Sequence, residues 1–485
     1  MRSLFCCLVI FITSTLYSQE PTLNFKNLDF KRSIRNVENY SLSDAKTNNL
    51  AIILGQKEKV SGYLYNSDFQ KIGEASGVRL KRKYKETIGY IVTNETTYSL
   101  VYGTSSRKKF GYLSVDLKSG GITSNEIEFK FDGEKYLETI NFDNRMMMMS
   151  ATKGNALILR EFTSDFTFEK IATFQFDADD KEQQLLEKGL RFDLFGPNTR
   201  GGITKIDNRV PNTIERSSSE NKLYHQGDTV YITFEDEESH TILNTLDLSS
   251  LELTTKTVSY PKGKIDEFKN FNSFIHGENF FHIASSRDEM IFQVKNFDNE
   301  VLKEFYVTQE DSIEFKNSPI IQDGSAYRRK KRELTTTKQY LRKITSGDIG
   351  VSIHQENQRY QITLGSHALL SSGGGGGFTG VPGGPVGGTT IPVPNGGSLY
   401  VPAYNPTFSS YGGYGYSKAV YVNGLFDSKF NHIKDEEFKD NIFDRIKEYQ
   451  DELKWDTAED VFIHNSKTYF SYWSTKDQEY SLIQF

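Results

Sequence analysis

Histidine is the first residue type to consider for chemistry, because a cluster of histidines can hold a metal ion. The eight histidines are spread along the 485 residues, and none belongs to an H-E-x-x-H zinc motif. His276 and His282, the closest pair, are six apart on a predicted strand, where even spacing places both on one face. A zinc site needs a third protein ligand, and the sequence places none. We therefore expect structural roles for both histidines.

Acidic residues form two short clusters. Asp177 to Asp180 resembles the opening of a calcium loop, but its sixth position is not glycine and its twelfth is Lys188, where an EF-hand needs glutamate. Glu235 to Glu238 falls at a predicted turn, where we expect it to be solvated. The paired carboxylates of a glycosidase come from distant strands, so spacing alone does not identify them.

Nucleophile and phosphate motifs are absent from the sequence. There is no G-x-S-x-G elbow, and the glycines at 373–377 are followed by neither a lysine nor a predicted helix. The basic run Arg328 to Arg332 is extended by Lys338, Arg342 and Lys343, and we interpret it as a solvated loop or strand end. The sequence therefore assigns no catalytic residue, no cofactor or cofactor-binding residue and no metal ligand.

The first 18 residues have the pattern of a secretory signal peptide. Arg2 precedes an uncharged apolar run from Leu4 to Leu16, and small Ser18 is followed by polar sequence. Cys6 and Cys7 lie within this segment, so the mature chain has no thiol for disulfides, thiolate metal sites or a cysteine nucleophile. We predict an exported protein, periplasmic or extracellular at the cell surface, that does not span the membrane after cleavage.

The charge balance narrows the class of partner. The whole chain carries 58 Lys and Arg against 64 Asp and Glu, and removing residues 1–18 takes away Arg2, which leaves 57 minus 64, or −7. A mildly acidic chain does not favour nucleic acid as a partner. The sequence leaves a protein or a glycan as partner and does not determine the oligomeric state.

The elements that must position any site are β-hairpins. In Thr97 to Thr123, two alternating runs flank a polar turn and end at Asp116-Leu-Lys-Ser. Thr229 to Thr257 repeats this pattern and ends at Asp247-Leu-Ser-Ser. The distance from Tyr98 to Asp116 and from Thr229 to Asp247 is 18 residues in each case. Aromatics at 13% also favour sheet.

The hairpin pattern predicts a repeat. Seven hairpin turns are predicted, near Lys57, Ser106, Lys153, Glu237, Arg287, Asn357 and Lys476. Three of the six steps between them, 49, 47 and 50 residues, match a four-stranded propeller blade. The sequence therefore predicts an all-β fold, a β-propeller of about seven blades (six to eight), in residues 19–485.

The longer steps contain predicted insertions and one helix. Residues 177–220 include a predicted short helix, Lys181 to Lys188, and residues 365–417 carry no charge. From 371 to 415 lie 15 of the 38 glycines and 6 of the 11 prolines, so we expect a disordered or loosely held loop. An apolar stripe of Phe438, Ile442, Ile446, Tyr449 and Leu453 predicts an amphipathic helix over about 436–453, with Asp435 as N-cap.

Two other all-β architectures remain open. Tandem β-sandwich domains also use short alternating strands. A transmembrane β-barrel would also be rich in tyrosine, but counting back by twos from Phe485 meets Ser481, Glu479 and Asp477, which interrupts a lipid-facing stripe. The recurring step of about fifty residues favours the propeller.

The hairpins and the two Asp-Leu-x-Ser turns resemble blades of secreted bacterial β-propellers. The resemblance implies a disc whose central funnel and loop-bearing face bind something, and it implies nothing about catalysis. The favoured hypothesis is a non-enzymatic binding or scaffold protein. The alternatives are a glycoside hydrolase or lyase with carboxylates in the funnel, and an adhesive protein acting through the glycine- and tyrosine-rich loop.

Overall fold

The computed structural model describes residues 20–485 with gaps. The residues outside the description are 1–19, 28–29, 32–36, 45, 153, 155, 177–202, 236–238, 324–330, 370–387, 393–397, 403–416 and 455. The predicted signal peptide, the Asp177 to Asp180 cluster and the predicted helix at Lys181 to Lys188 lie outside the described residues, as does most of the glycine-rich loop.

Strands account for most of the described chain. In chain order they are β1 (Leu23–Lys26), β2 (Val37–Ser43), β3 (Leu50–Gln56), β4 (Lys59–Tyr65), β5 (Lys71–Val78), β6 (Glu86–Thr93), β7 (Thr97–Gly103), β8 (Phe110–Asp116), β9 (Gly121–Ile127), β10 (Glu134–Phe142), β11 (Arg145–Thr152), β12 (Ala156–Phe162), β13 (Phe168–Gln175), β14 (Ile203–Ile206), β15 (Asn221–Gln226) and β16 (Thr229–Glu235). They continue as β17 (His240–Asp247), β18 (Glu252–Ser259), β19 (Asn270–His276), β20 (Asn279–Ser285), β21 (Glu289–Asn296), β22 (Val301–Thr308), β23 (Ile320–Asp323), β24 (Arg332–Leu334), β25 (Asp348–Glu356), β26 (Arg359–Leu369), β27 (Gly388–Pro392), β28 (Ser398–Pro402), β29 (Ser417–Phe426), β30 (Asp456–His464), β31 (Lys467–Ser474) and β32 (Glu479–Gln484).

The strands form a seven-bladed β-propeller, as predicted. Within the described ranges there are seven sheets of four or five strands and a separate two-stranded sheet, β27–β28. Blades 1, 2, 3 and 5 are β2–β5, β6–β9, β10–β13 and β19–β22. Blade 4 is β14–β18, blade 6 has the order β25-β26-β29-β23-β24, and blade 7 has the order β30-β31-β32-β1. Each of the seven predicted hairpin turns falls in a different blade.

Burial shows which strands face the centre of the ring. The outermost strands of blades 1 to 5 are largely exposed, as in β5 and β18, whereas β3 and β7 are buried along nearly their whole length. First strands of neighbouring blades are joined by side chains: the Asn39 amide on β2 donates to the Ala458 carbonyl on β30 (3.1 Å), and Asn141 on β10 donates to the Tyr90 carbonyl on β6. The first strands therefore line the centre.

The two Asp-Leu-x-Ser motifs occupy equivalent turns, between the last two strands of blade 2 and of blade 4. The Asp116 carboxylate accepts from the backbone N–H groups of Lys118 (3.0 Å) and Ser119 (3.2 Å). Asp247 accepts in the same way from the two serines that follow Leu248, at 2.7 Å each. This Asx-type turn explains the repeated aspartate, and the buried leucine after it anchors the turn.

The ring is closed by the N-terminal strand. β1 pairs antiparallel with β32 in the register Leu23 to Leu482 and Lys26 to Glu479, so the beginning of the chain supplies the outer strand of the last blade. Blade 7 and blade 1 then share an aromatic core that includes Phe30, Tyr65 and Trp473. We call this junction between blades 7 and 1 the closure seam.

The predicted C-terminal helix exists but begins later than predicted. The described helices are α1 (Ile214–Ser217), α2 (Thr337–Ile344) and α3 (Ile442–Glu452). The N-cap of α3 is Asn441, not Asp435, and Phe438 precedes the helix. Phe443 contacts the His354 ring of blade 6, and Ile446 packs with Val461 of blade 7. The helix thus contacts both blade 6 and blade 7.

The predicted insertion at 365–417 begins and ends inside strands. Gly365 to Leu369 belong to β26, and Ser417 begins β29, which pairs with β26 along its whole length. The intervening segment therefore connects two neighbouring strands of blade 6. Of its residues, the structure describes the hairpin β27–β28, whose backbone contacts β6 and β30.

The prediction that His276 and His282 share one face of a single strand was wrong, whereas their expected structural roles stay a prediction. His276 ends β19, and His282 lies in the next strand, β20, after a turn at Gly277 with a φ of +58°. The register pairs His282 with Ser273, three residues from His276, so the two histidines point to opposite faces of blade 5. Because the turn is only two residues long, the sequence from His276 to His282 has the pattern of a single strand.

Candidate functional site

The centre of the ring contains a segment of the chain itself. Residues 203–219, which we call the central segment, run from β14 to the end of α1. β14 pairs in parallel with β15, the first of the hairpin-connected strands of blade 4, with Ile203 opposite Asn221. Since the first strands line the centre, the extra strand lies inside them. The second half of the predicted 177–220 insertion is therefore a central element.

Hydrogen bonds attach the central segment to blades 5 and 6. Asn272 on β19 donates to the Ser218 carbonyl (3.2 Å), and the Ser218 hydroxyl lies 2.8 Å from Nδ1 of His367 on β26. Ser352 on β25 donates to the Asn212 carbonyl (2.7 Å). A Cβ at Gly350 would lie 2.9 Å from the Ser218 nitrogen, so glycine permits this close approach.

The central segment also reaches the blades on the other side. Val210 packs with Phe443 and Ile446 of α3 and with Val461 of blade 7. In the opposite direction, Lys205 donates to the Thr139 carbonyl on β10 of blade 3 (2.9 Å). Contacts with blades 3 to 7 mean that the segment crosses the middle of the propeller, where a funnel was expected from the sequence.

Charged side chains cluster around this segment. Lys205 lies 3.5 Å from the Glu138 carboxylate, and Arg209 forms a two-pronged ion pair with Asp207 (2.9 and 2.8 Å). Burial by itself would raise the pKa of Asp207, but Arg209 holds the pKa below its usual value. Burial, reinforced by Lys205, lowers the pKa of His225 to about 4. Asp207 is therefore ionised at neutral pH, while His225 is neutral.

Glu235 corrects the prediction of a solvated acidic turn. Its carboxylate is buried and accepts hydrogen bonds from Lys222 (3.1 Å), Thr241 (2.7 Å), Tyr260 (2.8 Å) and Ser273 (2.6 Å). Ser273 belongs to blade 5, so the group joins two blades. The other residues of the predicted cluster, 236–238, lie outside the described part of the chain.

A second buried carboxyl lies at the start of β30. Glu459 is 7% exposed and accepts a hydrogen bond from the Gln450 amide of α3. It follows Ala458, whose φ is +56°, at a β-bulge. Burial, together with a hydrogen bond to Asp456, raises the pKa of Glu459 to about 10. No sequence pattern indicates this group, because its partners come from a helix and a bulge.

A pocket opens at the closure seam. Its volume is about 350 Å³, and it is lined by Phe25, Lys26, Asn27, Tyr63, Tyr65, Lys71 and Glu74. The first three come from β1 and the residue after it, and the rest come from β4 and β5 of blade 1. The pocket therefore exists only when the chain ends have met.

One wall of this seam pocket is aromatic and the other is charged. The Phe25 ring lies 4.4 Å from Tyr63, 4.9 Å from Tyr480 and 6.1 Å from Tyr65 between centroids. Lys71 and Glu74 form an ion pair at 2.7 Å with half or more of each side chain exposed, so both remain accessible to a ligand. Burial raises the pKa of Tyr65, so its phenol stays protonated.

The predicted basic run is only partly described. Arg332 begins β24 and is exposed, whereas residues 328–330 lie outside the description. Lys338, Arg342 and Lys343 lie on α2, a helix that was not predicted. The sequence features that could have predicted this helix are the N-cap residue Thr336 and the apolar pair Tyr340 and Leu341, which is buried in the structure.

No group of three or more His, Cys, Asp or Glu side chains in the described part of the chain is arranged to hold a metal ion. No helix in the described ranges is long and apolar enough to cross a lipid bilayer.

Comparison with known proteins adds no family. No protein-family profile matches the chain, and no curated protein matches it. Among solved structures, a Lactobacillus plantarum protein is similar with 9% identity, a TM-score of 0.27 and coverage of 67% of this chain and 80% of the other. A mutant of AofleA from Arthrobotrys oligospora has 9% identity, a TM-score of 0.24 and coverage of 71% and 83%. The SapL1 lectin in complex with alpha methyl fucoside has 10% identity, a TM-score of 0.24 and coverage of 70% and 95%. Such similarity carries no argument about function, and the fold assignment here follows from the sheet pairings.

Proposed function

We propose that the mature protein is an exported, non-enzymatic β-propeller that binds a glycan in the seam pocket. The observation that supports the proposal is the aromatic wall of Phe25, Tyr63 and Tyr65 facing the charged side chains of Lys26, Lys71 and Glu74. Sugars present apolar C–H faces and polar hydroxyls, so they fit an aromatic surface bordered by hydrogen-bonding groups.

The size and position of the pocket agree with a binding role. A volume of about 350 Å³ is within the range of small-ligand pockets, roughly 300–1,000 Å³. The pocket lies at the rim of the ring, away from the centre that residues 203–219 occupy. Export is supported by the signal-peptide pattern at residues 1–18 and by the absence of cysteine after Cys7.

The test is a glycan microarray with the purified protein beginning at Gln19, followed by calorimetric titration of the strongest glycan. Replacing Tyr63 by alanine removes part of the aromatic wall, and we expect binding to weaken about tenfold or more, since one buried aromatic contact contributes about 1–3 kcal/mol. Lys71→Ala should weaken binding less, because its side chain is half exposed.

Tyr231→Ala is the matched control. Tyr231 is also half-buried and also contacts a phenylalanine ring, that of Phe297, with 5.3 Å between ring centroids, but it lies in blade 4. The control should bind like the unaltered protein. If no glycan binds above background, or if both tyrosine variants bind equally, glycan recognition at the seam is wrong, and a protein partner becomes the better explanation.

A hydrolase remains the second candidate because of Glu459. A carboxyl that burial keeps protonated is in the state that a general acid requires, and Asp456 lies beside it. Polysaccharide cleavage by the protein, and its loss in Glu459→Gln, would support this candidate. Binding without release of reducing sugar would exclude it.

A further inference from the structure

The central segment contains an arginine, Arg209, whose guanidinium group uses only two of its three nitrogens as hydrogen-bond donors within the described structure. Asp207 accepts from Nε and Nη2 of Arg209, and among the described residues Nη1 has no acceptor. The Arg209 side chain is 57% exposed, although the segment lies at the centre of the ring. The positive charge of Arg209 acts to lower the pKa of Tyr90 in blade 2 and the pKa of His225 in blade 4. Arg209 is therefore accessible to solvent and lies near both of these blades.

Two amide side chains next to this arginine lack partners. The nitrogen and the oxygen of the Asn208 amide are buried and have no hydrogen-bond partner among the residues that the structure describes, and the same holds for the nitrogen of Gln226. The parallel register that pairs Ile206 with Tyr224 brings the residues that follow each of them close together. Buried polar groups are normally hydrogen-bonded, so unpartnered amides beside an open arginine indicate a missing ligand.

Not every cation of this group is paired with a carboxylate. Lys205, Arg209 and Arg216 supply three positive charges, and Glu138, Asp207 and Glu215 supply three negative ones. Arg216 donates both of its hydrogen bonds to the Lys205 carbonyl and not to a carboxylate (3.1 and 2.8 Å), so its charge is not directly paired. The unpartnered groups are three N–H donors and a single oxygen acceptor.

We propose that this position binds an oxyanion that carries a neighbouring hydroxyl group, such as the carboxylate of an acidic sugar or a sugar phosphate. The oxyanion accepts from Nη1 of Arg209 and from the amides of Asn208 and Gln226, and the hydroxyl donates to the Asn208 oxygen. The site is separate from the seam pocket, so it does not depend on the proposed function.

The experiment is calorimetric titration of the protein beginning at Gln19 with D-glucuronate, glucose 6-phosphate, inorganic phosphate and D-glucose. We expect saturable binding of glucuronate or glucose 6-phosphate, weaker binding of inorganic phosphate and none of neutral glucose. Which of the two sugar anions binds identifies the source of the oxyanion. Arg209→Gln should weaken binding about tenfold or more, because a charge-assisted hydrogen bond is lost.

Arg145→Gln is the matched control, since Arg145 makes the same two-pronged contact with Glu161 (2.6 and 2.8 Å) on β11 and β12. It should bind like the unaltered protein. Because Arg209→Gln leaves Asp207 unpaired, Asn208→Ala serves as a second variant that keeps the ion pair, and it too should bind more weakly. Binding of glucose equal to that of the anions, no binding of any anion, or unchanged affinity in Asn208→Ala would each overturn the proposal. Tyr63→Ala should leave anion binding intact, which separates this site from the seam pocket.

Discussion

Two buried glutamates show how the environment of one residue decides its charge. Glu235 has a cationic partner, Lys222, and hydroxyl donors, so although burial opposes ionisation, its pKa is lowered. Glu459 forms no ion pair with a cation in the described part of the chain, and burial together with Asp456 raises its pKa to about 10. Both are glutamates near strand ends in the sequence, and only their neighbours distinguish them.

Glu459→Gln should stabilise the protein at alkaline pH. The folded-state pKa of about 10 lies above the unfolded value of roughly 4.3, so above pH 4.3 the unfolded chain ionises while the folded chain does not. The stability from this group is present below pH 4.3 and is lost as pH rises towards 10. The variant should gain about 1–3 kcal/mol at pH 8 and little at pH 4.5, measured by denaturant unfolding.

Glu235→Gln is the opposite case and serves as the comparison. It leaves the buried Lys222 ammonium without its carboxylate, which should cost about 3–5 kcal/mol at pH 7. If both variants shift stability in the same direction, the environments described for these two carboxyls are wrong.

At the scale of elements, helix α3 shows what an apolar stripe can and cannot define. Ile446 and Tyr449 do contact the core, but the stripe continued to Phe438, which lies before the helix. The start is fixed by Asn441, whose side chain accepts from the N–H groups of Phe443 (2.8 Å) and Asp444 (3.1 Å). The Asp444 carboxylate accepts from the Asn441 N–H in return (3.0 Å), which completes a capping box.

Asn441→Ala should therefore destabilise the protein by about 1 kcal/mol, because two helix N–H groups lose their acceptor. Asp435→Ala is the control, since the exposed Asp435 lies six residues before the cap and should change the free energy of unfolding by less than about 0.5 kcal/mol. Equal effects in the two variants would contradict the observed helix start.

Strand β11 is a second element whose sequence has a clear physical meaning. Met146 and Met148 pack in the core between blades 2 and 3, whereas Met147 and Met149 pack in the core between blades 3 and 4. The period of two sends alternate side chains to opposite faces, and a strand inside a propeller blade has a neighbouring blade on each face. A continuous apolar run therefore marks an inner strand.

At the scale of the whole molecule, the ring depends on the pairing of its two chain ends. β1 supplies four residues to blade 7, and Phe25 also contacts Tyr63 of blade 1. Without β1, the edge of β32 and the aromatic core of the seam would be exposed to water.

Deleting residues 19–26 should lower the melting temperature by about 3–5 °C, since the loss is several kcal/mol and an unfolding entropy of about 2.1 cal/mol/K per residue gives a chain of this length a shift of about 1 °C per kcal/mol. Trp473 is buried in the seam and reports the opening, so its fluorescence should shift to the red. The protein beginning at Gln19 is the control. Unchanged melting and fluorescence would show that β1 does not close the ring.

The hairpins were predictable because the residues that specify each strand and turn lie close together in the sequence. The alternation of Tyr98, Leu100 and Tyr102 and the turn at Asp116 lie within one short stretch, and the seven predicted turns fall in seven different blades. Even here, the register differs by one residue: Asp116 pairs with Thr97, nineteen residues away, whereas Asp247 pairs with Thr229, eighteen away. The difference reflects a longer turn before β8.

The sequence by itself determined that the chain is built from short antiparallel hairpins, several of them spaced by the length of one propeller blade. Alternation and turn chemistry act between near neighbours, so these features are visible locally. Only the tertiary structure decided that residues 203–219 cross the centre, that Glu235 is buried in an ion pair and that the chain ends form a pocket. Each of these depends on residues far apart in the sequence, as when Phe25 meets Tyr480. Their proximity arises from closing the ring, and no local pattern encodes it.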